Sequence, residues 1–114
     1  MNDCIFCRIA SGEIPAKIVY EDDHVVAFRD LSPQAPVHVL VIPRRHIATV
    51  NALAASDAEL VGRMVLAAKQ VAADEGIAED GYRTVMNCNA DGGQTVFHIH
   101  LHLLGGRRME WPPG

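Results

Sequence analysis

Residues 97–104 read Phe-His-Ile-His-Leu-His-Leu-Leu, with His98, His100 and His102 on alternate positions and aliphatic residues between them. Successive side chains on a strand point to opposite faces, so the alternation fits an extended segment that is polar on one side and apolar on the other. It predicts a long final strand over residues 94–104, with Phe97, Ile99, Leu101 and Leu103 on one face and three imidazoles on the other. Neighbouring histidines would stand roughly 6.7 Å apart along the strand and the outer two roughly 13 Å. Two adjacent rings can converge on one ion, but gathering all three would need strong distortion. The other readings are a polar face without chemistry and a constellation that handles phosphate.

The rest of the chain supplies partners for that strand. Residues 16–23 and 24–31 read as two strands joined by a tight acidic turn, and 37–45 as a third, with Pro33, Pro36 and Pro43 breaking the chain around them. A helix starts at Ser56, which has capping-box spacing to Glu59, and stops at Gly76. Leu60, Met64, Ala67 and Val71 form its apolar stripe, widened by Val61, Val65, Ala68 and Ala72. A stripe this broad suits a well-buried helix, or one that covers a sheet and keeps apolar surface for a second subunit. Residues 82–88 read as a strand and 89–93 as a turn. Strands, one long helix, then strands predict an α+β domain on an antiparallel sheet. Its 114 residues are enough for one core, so residues 1–114 are expected to be a single domain.

Charge and cysteine usage bound the setting. The net charge of −4 leaves no broad basic surface for nucleic acid or an anionic membrane, and Arg44-Arg45 and Arg107-Arg108 read as solvated strand ends. The N-terminus lacks the apolar core of a signal peptide, and no stretch approaches the roughly 20 apolar residues that span a bilayer. A cytoplasmic protein is expected. Three cysteines make no disulfide framework. Cys4-x-x-Cys7 suits a metal ion, with a redox pair as the lesser alternative, and Cys88 reads as a small buried hydrophobe in a strand.

Histidine is mostly neutral at pH 7, so a ring nitrogen can attack an electrophile while neighbouring rings donate hydrogen bonds to a phosphate. Just upstream, Gly92 and Gly93 allow backbone N–H groups to approach an anion, and Gln94 and Thr95 add side-chain donors. The chain has no Gly-x-x-x-x-Gly-Lys-[Ser/Thr] loop, which excludes a P-loop enzyme.

His98-Ile99-His100-Leu101-His102-Leu103-Leu104 resembles the motif of the histidine triad (HIT) superfamily of nucleotide hydrolases and transferases. Segments 12–23, 30–47 and 91–114, closing on Trp111-Pro112-Pro113-Gly114, resemble its Hint branch rather than the dinucleoside polyphosphate hydrolases. The resemblance implies a HIT-like fold of about five antiparallel strands with one long helix and a short N-terminal helix. It implies a purine nucleotide of the AMP type as ligand and hydrolysis of purine nucleoside 5′-phosphoramidates, with no metal needed for the chemistry. A dinucleoside polyphosphate hydrolase and a non-catalytic nucleotide-binding module are the alternatives. His100 matches the nucleophile, His102 its phosphate-binding neighbour, and His38 completes the imidazole cluster. Asn87, Gly93, Gln94 and Thr95 match positions at the phosphate or leaving group, Thr95 standing where many relatives have serine. Asp30 and Leu31 match ribose and nucleoside contacts, and Phe6, Ile9, Ile14 and Phe28 the walls of a base pocket. Some bacterial members bind structural zinc through a pair such as Cys4 and Cys7, a histidine at the place of His46, and the first triad histidine, here His98. A homodimer is also implied, with the Trp111 tail reaching toward the partner's site.

Overall fold

A computed structural model describes residues 3–114. The elements run α1 (Ile5–Ala10), β1 (Ile18–Glu21), β2 (Val25–Arg29), β3 (Val37–Pro43), α2 (Ala58–Asp74), β4 (Tyr82–Val85), α3 (Asn89–Gly92) and β5 (Leu101–Gly105). The strands form one antiparallel sheet in the order β1-β2-β3-β5-β4. This is the α+β arrangement expected, including the long helix and the short N-terminal one.

Both faces of the central strands are covered, which is why β2 and β3 read as nearly unbroken apolar runs rather than alternating ones. Val25, Ala27, Val39, Val41, Leu101 and Leu103 pack with Met64, Ala67, Ala68, Val71 and Ala72 of α2. On the opposite face Val26, Phe28, Leu40 and Ile42 pack with Phe6 and Ile9 of α1. Asp22 closes the β1–β2 turn by accepting from the backbone N–H of His24 at 2.7 Å and Val25 at 2.9 Å. The C-terminus of α2 is a Schellman turn: Gly76 at φ +75° donates to Ala73 O, and Ile77 donates to Ala72 O. Among the described residues no helix is long and apolar enough to cross a membrane.

Four expectations need correction. The final strand begins at Leu101, not at residue 94. Its partner β3 pairs with it only as far as Val41↔Leu101, and backbone acceptors beyond that point are taken by histidine side chains. Helix α2 begins at Ala58 after a 3₁₀ turn, and its start is held by Asp57, which accepts from Ala54 N–H at 2.8 Å and pairs with Arg45. Ser56 is exposed inside that turn and caps nothing. Residues 89–92 form a short helix closed by Gly93 at φ +83°, not a simple turn. Cys88 is half-buried at the start of that helix, beyond the end of β4.

Candidate active site

The face of the sheet under α1 holds a cavity of about 280 Å³. Phe6, Ile9, Ile14 and Phe28 line its apolar part, while Asp30, Thr95, His100 and His102 line its polar part and Leu31 its rim. Phe6 meets Phe28 edge-on at 5.5 Å and His100 edge-on at 5.0 Å, so one aromatic ring joins the apolar wall to the histidines. Leu31 is 97% exposed, a large apolar side chain that only a ligand or partner would cover. Ile5, Ala16, Lys17, Leu40 and Val96 also line the cavity, and no motif in the sequence marks them. Leu40 was findable only with the register, which sets it opposite His102 across β3 and β5.

The hydrogen bonds around the imidazoles dictate where their protons sit. Gln34 backbone N–H donates to His38 Nδ1 at 3.0 Å, so that nitrogen carries a lone pair and the proton lies on Nε2. His38 Nε2 is 3.0 Å from His102 Nδ1 and donates to it. His102 is then protonated on Nε2. Burial holds the pKa of His38 below its ordinary value, against the pull of Asp30 at 3.5 Å. Burial, then the nearby His100 and His38, push that of His102 down to about 4. The pair is therefore neutral at pH 7, a relay of N–H donors ending at the cavity.

His100 Nδ1 is 2.8 Å from the backbone carbonyl of His98. A carbonyl only accepts, so Nδ1 is protonated, and in the neutral ring the lone pair is left on Nε2. Asp30 is held by Ser32 N–H, which donates to Oδ1 at 2.7 Å, and part of its acceptor capacity remains unused.

His98 serves a second cluster. Its Nε2–H donates to Pro43 O at 2.8 Å, which turns the Nδ1 lone pair toward Cys4 Sγ at 3.3 Å and Cys7 Sγ at 3.5 Å. His46 Nδ1 lies 3.4 Å from Cys7 Sγ, and the four ligand atoms lie within 4.8 Å of one another. A tetrahedral zinc ion with Zn–S of about 2.3 Å and Zn–N of about 2.0 Å sets N···S edges of about 3.5 Å, so this donor set fits such an ion. The Pro43 carbonyl would be the outer partner that fixes the tautomer such an ion needs. Burial lowers the pKa of His98, which favours the neutral ring a metal requires.

Five residues expected at the site do not line the cavity, and of these His38 reaches it only through its bond to His102. Gln94 is buried with its amide engaged by the backbone: it donates to Ala48 O at 2.8 Å and Val96 O at 3.1 Å and accepts from Asn89 N–H at 2.9 Å. Gly93 closes α3, and Asn87 lies half-buried against Gly92. Trp111 is 81% exposed, its ring 6.0 Å from the Arg83 guanidinium.

The five-stranded sheet sets two of the alternating histidines, His100 and His102, in the wall of an apolar cavity. The chain belongs to the HIT family: the HIT domain model matches residues 11–109. The purine nucleoside phosphoramidase of Escherichia coli is 57% identical over 108 residues, covering 95% of this chain and 91% of that protein. A HIT family hydrolase from Legionella pneumophila superposes with a TM-score of 0.97 at 57% identity, over 98% of this chain and 100% of that one. A zinc-bound histidine triad family protein from Mycobacterium smegmatis superposes at 0.81 with 33% identity, over 98% and 80% of the two chains.

Proposed function

We propose that the chain hydrolyses purine nucleoside 5′-phosphoramidates to a nucleoside monophosphate and an amine, through a nucleotidyl intermediate on His100. One observation carries this: His100 Nδ1–H donates to the His98 carbonyl, leaving a nucleophilic Nε2 on a residue that lines the cavity. The likeness to the E. coli phosphoramidase supports the substrate class. The apolar walls take the base and the Asp30 carboxylate accepts from the ribose hydroxyls. His100 Nε2 attacks phosphorus, forming an N–P bond as the substrate's P–N bond breaks. His102 Nε2–H, backed by His38, donates to a phosphate oxygen as charge develops there. The departing nitrogen takes its proton through the Thr95 hydroxyl, replenished from solvent at the exposed cavity mouth. Water then attacks phosphorus, the bond to His100 breaks and the monophosphate leaves. A panel of adenosine and guanosine phosphoramidates and dinucleoside polyphosphates tests the reading. Turnover is expected on the phosphoramidates. Faster cleavage of dinucleoside polyphosphates, or AMP binding with no turnover on any of them, refutes it.

Cys4, Cys7, His46 and His98 hold a structural zinc ion in this reading, a crosslink from the start of α1 to β3's exit and the histidine row. The zinc-bound M. smegmatis relative supports it. Purified protein should carry roughly one equivalent of zinc per chain, and His98→Ala should lose it and melt lower because it removes both a ligand and a fully buried side chain. Metal analysis decides: less than roughly a tenth of an equivalent, with no uptake on addition, ends the assignment.

The active form is a homodimer built on α2. The sheet buries Met64, Ala67, Ala68, Val71 and Ala72, but Val65 and Leu66 remain 52% and 62% exposed. A second copy would cover them and give the exposed Trp111 a surface to meet. Light scattering should return twice the 12.4 kDa chain mass, and a monomer at micromolar concentration contradicts this.

A further inference from the structure

The thiol pair is mechanically joined to the cavity in two ways. His98 spends all its side-chain and carbonyl bonding on the connection: Nδ1 faces both sulfurs, Nε2–H is held by Pro43 O, and its carbonyl holds the Nδ1 proton of His100. Moving its ring disturbs the residue whose carbonyl sets the tautomer of His100. The second connection is α1, six residues long and too short to hold itself as a helix. At its start Cys4 Sγ accepts from Cys7 N–H at 3.4 Å, and at its end Arg44 donates to Ala10 O at 2.8 Å. Between these anchors it carries Phe6 and Ile9, two walls of the cavity, with Phe6 edge-on to both His98 and His100. Both cysteines are half-buried rather than sealed in the core.

We propose that Cys4 and Cys7 form a redox latch on the active site: as thiolates they keep α1 and His98 in place, and oxidation to a disulfide releases both and weakens nucleotide binding. The inference rests on the zinc site and the nucleotide site proposed above. Two thiolates, one hydrogen peroxide and two protons give one disulfide and two waters. The sulfurs lose two electrons, the O–O bond takes them and breaks, and the metal ion leaves with His46 and His98 uncoordinated. The new bond lies within the first turn of α1 and no longer ties that turn to the histidine row.

The test uses the full zinc-loaded chain carrying Cys88→Ala, so that one thiol pair remains. Peroxide treatment is followed by zinc release, peptide mass for the Cys4–Cys7 disulfide, calorimetric AMP binding and the His100 tautomer by nitrogen-15 NMR. The disulfide should form with zinc release, the AMP Kd should rise about tenfold or more, and the His100 proton should no longer be confined to Nδ1. Reduction with added zinc should restore the starting values. An AMP Kd within twofold and an unchanged His100 tautomer in the oxidised, zinc-free protein overturn the latch, as does failure of peroxide to form the disulfide. Collapse of the far-ultraviolet circular dichroism on oxidation also overturns it, since the cluster would then be a crosslink for the whole fold. If the reduced, zinc-loaded chain binds no AMP, the nucleotide reading fails, and the His100 tautomer alone then decides for or against the latch.

Discussion

His100→Ala is expected to lose at least about three powers of ten in turnover, on the order of 4 kcal/mol in barrier, while the protein stays folded and binds AMP. The loss is large because the variant removes the atom that forms the intermediate, so no neighbouring donor can compensate. Binding survives because the cavity walls from Phe6, Ile9 and Phe28 and the Asp30 carboxylate belong to other elements. His102→Ala should cost less, about 100-fold, since it removes a donor to the phosphate and leaves the attacking group in place. Quenching a reaction with an adenylate substrate and mapping the adduct by mass spectrometry tests the assignment directly. An adenylyl group on another residue, or a His100→Ala protein within tenfold of the parent rate, would sink the mechanism.

The alternation in residues 98–103 was a sound guide to which side chains share a face, and a poor guide to hydrogen bonding. Ile99, Leu101 and Leu103 are buried on the α2 side as the period-2 pattern requires, although the ladder begins only at Leu101. Residues upstream bend at 96–98 and have no partner strand, and Ile99 N–H donates to Ile47 O at 2.8 Å. The acceptors a ladder would use there, Pro43 O and His98 O, are occupied by the side chains of His98 and His100. Side-chain period is a local property, whereas strand pairing depends on where β3 ends, which the alternation does not encode. The same distinction explains Gln94. A donor beside two glycines reads as a phosphate contact, yet its amide is claimed by Ala48, a residue 46 positions away. Phe97 is 50% exposed because the chain has not yet entered the core at that position. The Cys4-x-x-Cys7 spacing pointed to a metal, and the fold brings His46 and His98 to it from segments 39 and 91 residues from Cys7. The tautomers of His38, His100 and His102 were not legible at all, because backbone groups of Gln34 and His98 set them.

The tautomers of His38 and His102 depend on the loop between β2 and β3, and Gly106 lies against Pro36 of that loop. A Cβ at Gly106 would stand 2.9 Å from Pro36 Cβ, and the residue has φ +87°, where side chains are strained. Pro36 is a ring fixed to its own backbone, so the contact is relieved only by moving the loop. Arg107, next in the chain, donates to Gln34 O from Nε at 3.2 Å and Nη2 at 3.1 Å, and Gln34 N–H holds His38 Nδ1. Gly106→Ala should therefore destabilise the protein by about 3 kcal/mol, from left-handed strain of about 1 kcal/mol and the remainder from the displaced loop. Turnover should fall about tenfold as the His38–His102 pair loses its fixed proton arrangement. Gly12→Ala is the matched control, since Gly12 has φ +82° with no atom within 4 Å of an added Cβ. It should cost only the strain and leave turnover alone. The two variants are compared by denaturant unfolding and by rate. A Gly106→Ala protein as stable as Gly12→Ala and as active as the parent would show that the loop yields freely and that the relay does not depend on it.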